Sequence, residues 1–323
     1  MTSVSSPQLV APARHFLELT DLTADELGSV LTLAAAPIPT LGRPLEGLGV
    51  ALIFDKPSNR TRQSTEMAVV QLGGHPVYTR SEEVGLDVRE PVEDVARIMA
   101  GYHAVLAARV VHHEVLERMA AVSPVPVLNL LSDRSHPLQA VADVLTMHQH
   151  LGMLAGRVVA YVGDHNNVSR SLVEAALLLG MHVRIGCPAG YDVGGAELDR
   201  FDVIARQHGG SIESFGDALV AVHGADVVHT DTWTSMGQES QKAARAEVFG
   251  RYQVSAAVMA HAAPGAVFMH CMPAYRGLEV TAEVMDGDRS LVIAQGHNRM
   301  HAARGVLAFM LGVRPSRTQE VRR

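Results

Sequence analysis

The sequence predicts an α/β protein of two doubly wound parallel-sheet domains, with an active site in the cleft between them. Three observations carry this expectation. Short apolar runs alternate with amphipathic helical stretches from end to end, the pattern of strand–helix–strand units in parallel sheets. At 323 residues the chain exceeds one ordinary core and suits two domains of about 150 residues each. Polar residues crowd the points where predicted strands end, which is where parallel sheets receive their ligands.

The elements follow in order. After a polar leader, residues 15–36 place Leu19, Leu22, Leu27, Val30 and Leu31 at helical spacing, with acids toward the first turns. Residues 49–54, Gly-Val-Ala-Leu-Ile-Phe, read as a buried strand that runs into a helix ending at Leu72. Residues 104–108 and 125–130 read as strands, 112–121 and 137–151 as helices. Gly152 and Gly156 punctuate the join between the two halves. Beyond them, residues 158–163 and 182–187 read as strands around a helix at 168–179, and 226–231, 266–271 and 290–294 as further strands. A helix from Met300 closes the chain. The expected domains are residues 1–150, with the helix at 300–323 packing back on them, and residues 151–299. There is no internal repeat and no low-complexity tract.

Composition excludes several function classes. Hydrophobic residues make up 47% and charged residues 19%, the balance of a soluble globular protein. A net charge of −7 without a basic run argues against a nucleic-acid partner. Cys187 and Cys271 make no disulfide framework and suit a reducing compartment. No signal-peptide pattern opens the sequence and no apolar run approaches ~20 residues, so a cytoplasmic protein without a membrane span is expected. Neither a Walker pattern nor Gly-x-Gly-x-x-Gly is present, so no nucleotide and no cofactor are expected. The 17 histidines are scattered, and His112, His113, His148 and His150 lack an acid at ligand spacing, so no metal is expected either.

The chemistry concentrates at the strand exits. Ser58-Asn59-Arg60-Thr61-Arg62 opens a helix directly after a strand, where free N–H groups, hydroxyls and guanidiniums suit a phosphate. In isolation the same residues also fit a serine cap with surface arginines. Arg109, then His136 and Gln139, follow later strands of the first half. Asn166, Asn167, Asp231, Ser235, Met236, Cys271 and Met272 occupy the corresponding positions in the second.

Four of these segments resemble the aspartate and ornithine carbamoyltransferases, in the family's order and over nearly the whole chain. Ser58-Asn-Arg-Thr-Arg62 resembles the family's Ser-Thr-Arg-Thr-Arg phosphate loop, and His136-Pro-Leu-Gln139 its His-Pro-x-Gln segment. Asp231-Thr-Trp-Thr-Ser-Met-Gly237 and His270-Cys-Met-Pro-Ala-Tyr-Arg-Gly277 are similar to two loops of the ornithine branch. A fifth segment, Asn298-Arg-Met-His301, resembles the family's Asn-Arg-x-His at the start of the final helix. The resemblance implies that residues 1–150 bind carbamoyl phosphate and residues 151–299 the amino acid, ornithine. It implies that Ser58, Asn59, Arg60 and Thr61 hold the phosphate, and that Arg109, His136 and Gln139 contact the carbamoyl group. Met272 and Arg299, the latter by a phosphate or carbonyl contact, would complete the carbamoyl phosphate site with Cys271, which would also sit beside the reacting δ-amine. Asn167, Asp231, Ser235 and Met236 would receive ornithine. Arg109, His136, Gln139, Asp231, Cys271 and Arg299 form the implied catalytic set. A homotrimer or a higher multiple is implied too, because members share active sites across subunit interfaces.

The chain departs from the family pattern at Asn59, Gln63, Thr65 and Tyr275. The largest departure is at residues 81–91, where Glu82, Glu83 and Asp87 put acids into a loop expected to reach a neighbouring subunit's phosphate. These departures leave open another acceptor amine (lysine, putrescine, a different diamino acid) or a weakly active ligand-binding relative.

Overall fold

The computed structural model describes residues 13–234 and 239–315. The first half runs α1 (Ala24–Ala35), β1 (Gly49–Phe54), α2 (Asn59–Gln71), β2 (His75–Arg80), α3 (Ser81–Val84), α4 (Val92–Met99), β3 (His103–Arg109), α5 (His113–Val122), β4 (Val127–Leu131) and α6 (Pro137–Leu151). The second runs β5 (Val158–Val162), α7 (Asn167–Leu178), β6 (His182–Gly186), α8 (Gly195–His208), β7 (Ser211–Phe215), α9 (Ala218–Val222), β8 (Val227–Thr230), α10 (Lys242–Phe249), α11 (Ala256–Met259), β9 (Val267–His270), α12 (Ala282–Met285) and α13 (Val292–Met310).

Local chemistry sets several boundaries. Thr23 and Glu26 form a reciprocal capping box at the start of α1. Pro137 opens α6, at the one helical position where its missing N–H costs nothing. The Asn166 side chain caps α7 by accepting from the N–H groups of Val168 and Ser169.

Every strand pair is parallel, in a four-stranded sheet ordered β2-β1-β3-β4 and a five-stranded sheet ordered β7-β6-β5-β8-β9. The chain winds outward in both directions from a point between β1 and β3, and again from a point between β5 and β8. Such switch points leave a crevice, because the loops on either side turn away from each other. One apolar core runs through both halves, from Leu52 and Val105 by way of Val141 and Leu145 to Val159 and Val183.

The closing helix α13 packs against α1, α2 and α6 and reaches β9. A Cβ at Gly305 would stand 2.7 Å from the Ala34 nitrogen and from the Val30 oxygen, so only glycine lets α13 lie this close to α1. Arg304 ties the same joint, donating to the carbonyls of Ala34 (2.8 Å) and Ala36 (3.2 Å) and to Gln71 Oε1 (2.8 Å).

Two sequence expectations need correction. Residues 290–294 are not a strand: Ser290 makes only an isolated bridge to Phe268, and α13 begins at Val292 instead of Met300. Val292 and Ile293 form a short β-branched run that periodicity cannot distinguish from helix. The helix ends at Met310, and residues 316–323 of the expected closing segment lie outside the described residues. The edge strands β2 and β7 were not expected at all; His-Pro-Val-Tyr-Thr-Arg and Ser-Ile-Glu-Ser-Phe are partly exposed and carry no apolar run.

Candidate active site

A cavity of about 670 Å³ opens between the two switch points. The first sheet supplies the β1–α2 turn with Ser58, Asn59, Arg60 and Thr61, and Arg109 from the end of β3. His136 comes from just before α6. The second sheet supplies Asn167, Asp231, Cys271 and Met272, and α13 contributes Arg299.

Cationic groups gather on the first-sheet side. The N-terminus of α2 lines the cavity and has no side-chain cap, so no capping side chain occupies its first N–H groups. Arg109 donates to Ser58 Oγ at 3.4 Å, and Arg299 to Thr61 Oγ1 at 2.5 Å. Among the described residues neither guanidinium pairs with a carboxylate, and the Nε of each lacks a partner. Burial, aided by mutual repulsion with Arg60, pushes Arg109 and Arg299 down to about 10. A shift of that size corresponds to roughly 3 kcal/mol that a bound anion can relieve. His136 is held well below the usual histidine range by burial and by the Arg299 and Arg109 charges, so it is neutral. Its Nδ1 is buried without a partner among the described residues, and its backbone N–H is fixed by Ser171 Oγ at 2.9 Å.

The second-sheet side is acidic and closely bonded. Asp231, just beyond β8, accepts from Asn166 Nδ2 at 2.9 Å and from the Cys271 thiol at 2.9 Å. Burial, then the Asp231 carboxylate, pushes the Cys271 thiol well up, so it stays protonated and acts as a donor, not a nucleophile. Asn167 Nδ2 donates to the Ser132 carbonyl at 2.6 Å, tying α7 to the loop after β4. Met272 takes a left-handed backbone (φ 62°), and its N–H donates to His270 Nδ1 at 2.9 Å. The other His270 nitrogen meets the buried Glu279 at 3.1 Å. Asp231, His270 and Cys271 bring metal-binding atom types within 4.8 Å of one another, but both His270 nitrogens are already engaged. Arg245 anchors the base of the 231–234 segment, bonding the Trp233 carbonyl and Asp164, while Trp233 stacks on Phe249 at 5.9 Å.

Gln139 does not line the cavity. Its Oε1 accepts from Arg299 and its Nε2 donates to Asp143 at 2.7 Å, which places it directly behind the Arg299 guanidinium. Ser235 and Met236 lie outside the described residues. The acidic loop stands apart from the cavity: Asp87 and Glu93 share Arg118 (2.8 Å and 2.7 Å), and Arg89 donates to the Glu83 carbonyl. Its acids therefore do not oppose an anion in their own subunit's site.

Two family models divide the chain near the same join. One, for the carbamoyl-P binding domain of aspartate/ornithine carbamoyltransferases, matches residues 14–149. The other, for their Asp/Orn binding domain, matches residues 155–310. The chain belongs to the aspartate/ornithine carbamoyltransferase family. Ornithine carbamoyltransferase of Parafrankia sp. (strain EAN1pec) is 44% identical over 305 residues, which cover 93% of this chain and 96% of that protein. The solved ornithine carbamoyltransferase from Pyrococcus furiosus superposes with a TM-score of 0.88 at 41% identity, over 93% of this chain and 98% of that one. That from Thermus thermophilus gives 0.82 at 40%, over 93% and 100%.

In this carbamoyltransferase-family chain the cavity also takes in Lys56, Asp133, Thr232, Thr234 and Tyr275, which sequence reasoning did not assign to a substrate. Each sits in a strand-end loop already marked by its neighbours, but loop membership alone does not say which side chains turn inward.

Proposed function

We propose that this chain transfers the carbamoyl group of carbamoyl phosphate to the side-chain amine of L-ornithine, giving citrulline and phosphate. One observation carries the reading. Uncompensated guanidiniums at a bare helix N-terminus face a buried carboxylate–thiol pair across one cavity, as a phosphate donor and an amino-acid acceptor together require. Membership of the family supports the same chemistry.

Residues 1–150, with the closing helix, bind carbamoyl phosphate, and residues 151–299 bind ornithine. Ser58, Asn59, Arg60 and Thr61 hold the phosphate. Arg109, neutral His136 and Arg299 donate to the carbonyl oxygen, where charge builds in the tetrahedral intermediate. The acceptor's α-ammonium meets Asp231, with Asn167, Ser235 and Met236 around its main chain. The δ-nitrogen lone pair attacks the carbonyl carbon beside Cys271 and Met272, the carbon–oxygen bond to phosphate breaks, and the amine proton passes to the departing phosphate, which leaves as its monohydrogen dianion. No group of the protein is covalently modified, so orientation in a water-poor cleft does most of the work.

The experiment is phosphate release from carbamoyl phosphate with ornithine, lysine, diaminobutyrate, putrescine or acetylornithine, each product identified by mass. Ornithine is expected to dominate; turnover with another amine alone would reject the acceptor assignment. The enzyme works in the cytoplasm as a homotrimer or a larger multiple, which light scattering checks; a monomer that turns over at full rate contradicts the assembly.

A further inference from the structure

Beneath the cavity lies a buried polar hub. Asp143 on α6 is fully buried, and its Oδ1 accepts two hydrogen bonds, from Gln139 Nε2 and Gln295 Nε2, each at 2.7 Å. The other partner of each amide fixes its orientation. Gln139 Oε1 accepts from Arg299, which can only donate. Gln295 Oε1 accepts the backbone N–H of His270 at 2.9 Å, the residue before Cys271. One carboxylate oxygen thus holds two arms. The first ends on a guanidinium of the anion side, the second on the strand end that carries the thiol. His229, on the strand leading to Asp231, closes the hub: its Nε2 lies 3.3 Å from Gln295 Nε2 and 3.6 Å from Asp143 Oδ2. Asp143, Gln139 and Gln295 are all outside the cavity lining. Gln139 and Asp143, like Gln295 and Arg299, stand four residues apart on their helices, so each pair shares a face.

Joining three elements does not by itself call for a buried carboxylate, since apolar residues of similar volume would do so without the desolvation cost. We propose that Asp143 is a positioning residue that sets the two substrate subsites relative to each other. Through Gln139 it aims Arg299 at the carbamoyl phosphate; through Gln295 it fixes the Cys271 loop where the acceptor amine sits. This rests on the carbamoyl-transfer reading above.

The test uses the full chain and the variants Gln139→Leu, Gln295→Leu, Asp143→Leu and Asp143→Asn. Each is checked by thermal unfolding, then titrated calorimetrically with carbamoyl phosphate and with ornithine, and assayed for kcat and both KM values. Gln139→Leu is expected to weaken carbamoyl phosphate about tenfold and leave ornithine within about threefold, and Gln295→Leu the reverse, as loss of a bond to a charged hub implies. Asp143→Leu weakens both substrates. Asp143→Asn, whose amide oxygen can accept both donors, stays within about threefold of wild type. An Asn variant no better than Leu, an Asp143→Leu loss confined to kcat, or Gln variants that move the same substrate would overturn the proposal. If Asp143→Leu does not fold, Gln295→Leu decides, because Gln295 belongs to no implied substrate set: a loss of ornithine affinity that spares carbamoyl phosphate supports the hub, and unchanged ornithine affinity overturns it. A wild-type protein that binds both ligands without forming product would reject the functional reading, and the titrations would still judge the hub. A wild type that binds neither would reject both.

Discussion

The Cys271 thiol donates to Asp231 and is held well above its ordinary range, while His136 is held well below its own. Neither group therefore titrates near neutrality. The acceptor amine has a solution pKa of about 10.4 and must be neutral to attack. For the wild type, log kcat/KM for ornithine is expected to rise with unit slope from pH 7 to 9 without a break, which initial rates across that range check. Iodoacetamide is expected to label Cys271 slowly throughout the same range. Arg60→Ala is expected to abolish almost all turnover, whereas Cys271→Ala mainly raises the ornithine KM; equal loss of carbamoyl phosphate affinity in both would contradict that division. A second titration concerns stability. Burial raises the Glu174 carboxyl to about 7, against an ordinary value of 4.5 in the unfolded chain, despite Arg200 at 2.9 Å. The folded state thus holds a proton that the unfolded state has released between those values, and this contribution is lost as pH rises toward 7. Glu174→Gln is expected to gain up to roughly 3 kcal/mol relative to wild type between pH 5 and pH 8. Urea unfolding at the two pH values measures it. At this scale the cavity-lining residues Ser58, Arg60, Thr61, Arg109, His136, Asp231 and Cys271 were legible, because each follows a readable strand. The bond from Arg299 to Gln139, and the tethering of Asp87 by Arg118, were not, since both join side chains from distant segments.

Among elements, the buried strands β1, β3, β5 and β9 announced themselves as apolar runs. The edge strands β2 and β7 did not, because a strand with one neighbour can stay polar. Helix α13 begins earlier than the sequence pattern predicts because its first turn opens with β-branched residues, yet it carries both Gln295 and Arg299. Its fit against α1 gives a sharp expectation. Gly305→Ala must displace backbone atoms of α1, which costs about 1–3 kcal/mol, and it should also weaken carbamoyl phosphate binding by shifting Arg299. Thermal unfolding and a binding titration on the same sample check both parts; a stable variant with normal binding would contradict the close approach. Asn166 serves as the cap of α7 and as a donor to Asp231. Asn166→Asp keeps the cap but sets a second carboxylate beside Asp231. It is therefore expected to unfold like the wild type while changing the ornithine KM several-fold.

At the scale of the whole molecule, two sheets with the same kind of switch point face each other, and the chemistry follows from what each leaves at its strand ends. The first leaves donors and positive charge, the second a carboxylate and a thiol. Gly152 and Gly156 punctuate the short link between α6 and β5. The polar hub that holds the halves in register was not legible in the sequence, because its members are single polar residues on largely buried helices. The central claim is transfer between two substrates held in one cleft. It is tested most directly by supplying carbamoyl phosphate labelled with carbon-13 together with ornithine and following carbon and phosphate in one reaction. The account expects label only in the ureido carbon of citrulline, with one phosphate released per citrulline formed. Phosphate release without labelled citrulline would mean hydrolysis in place of transfer and would contradict it.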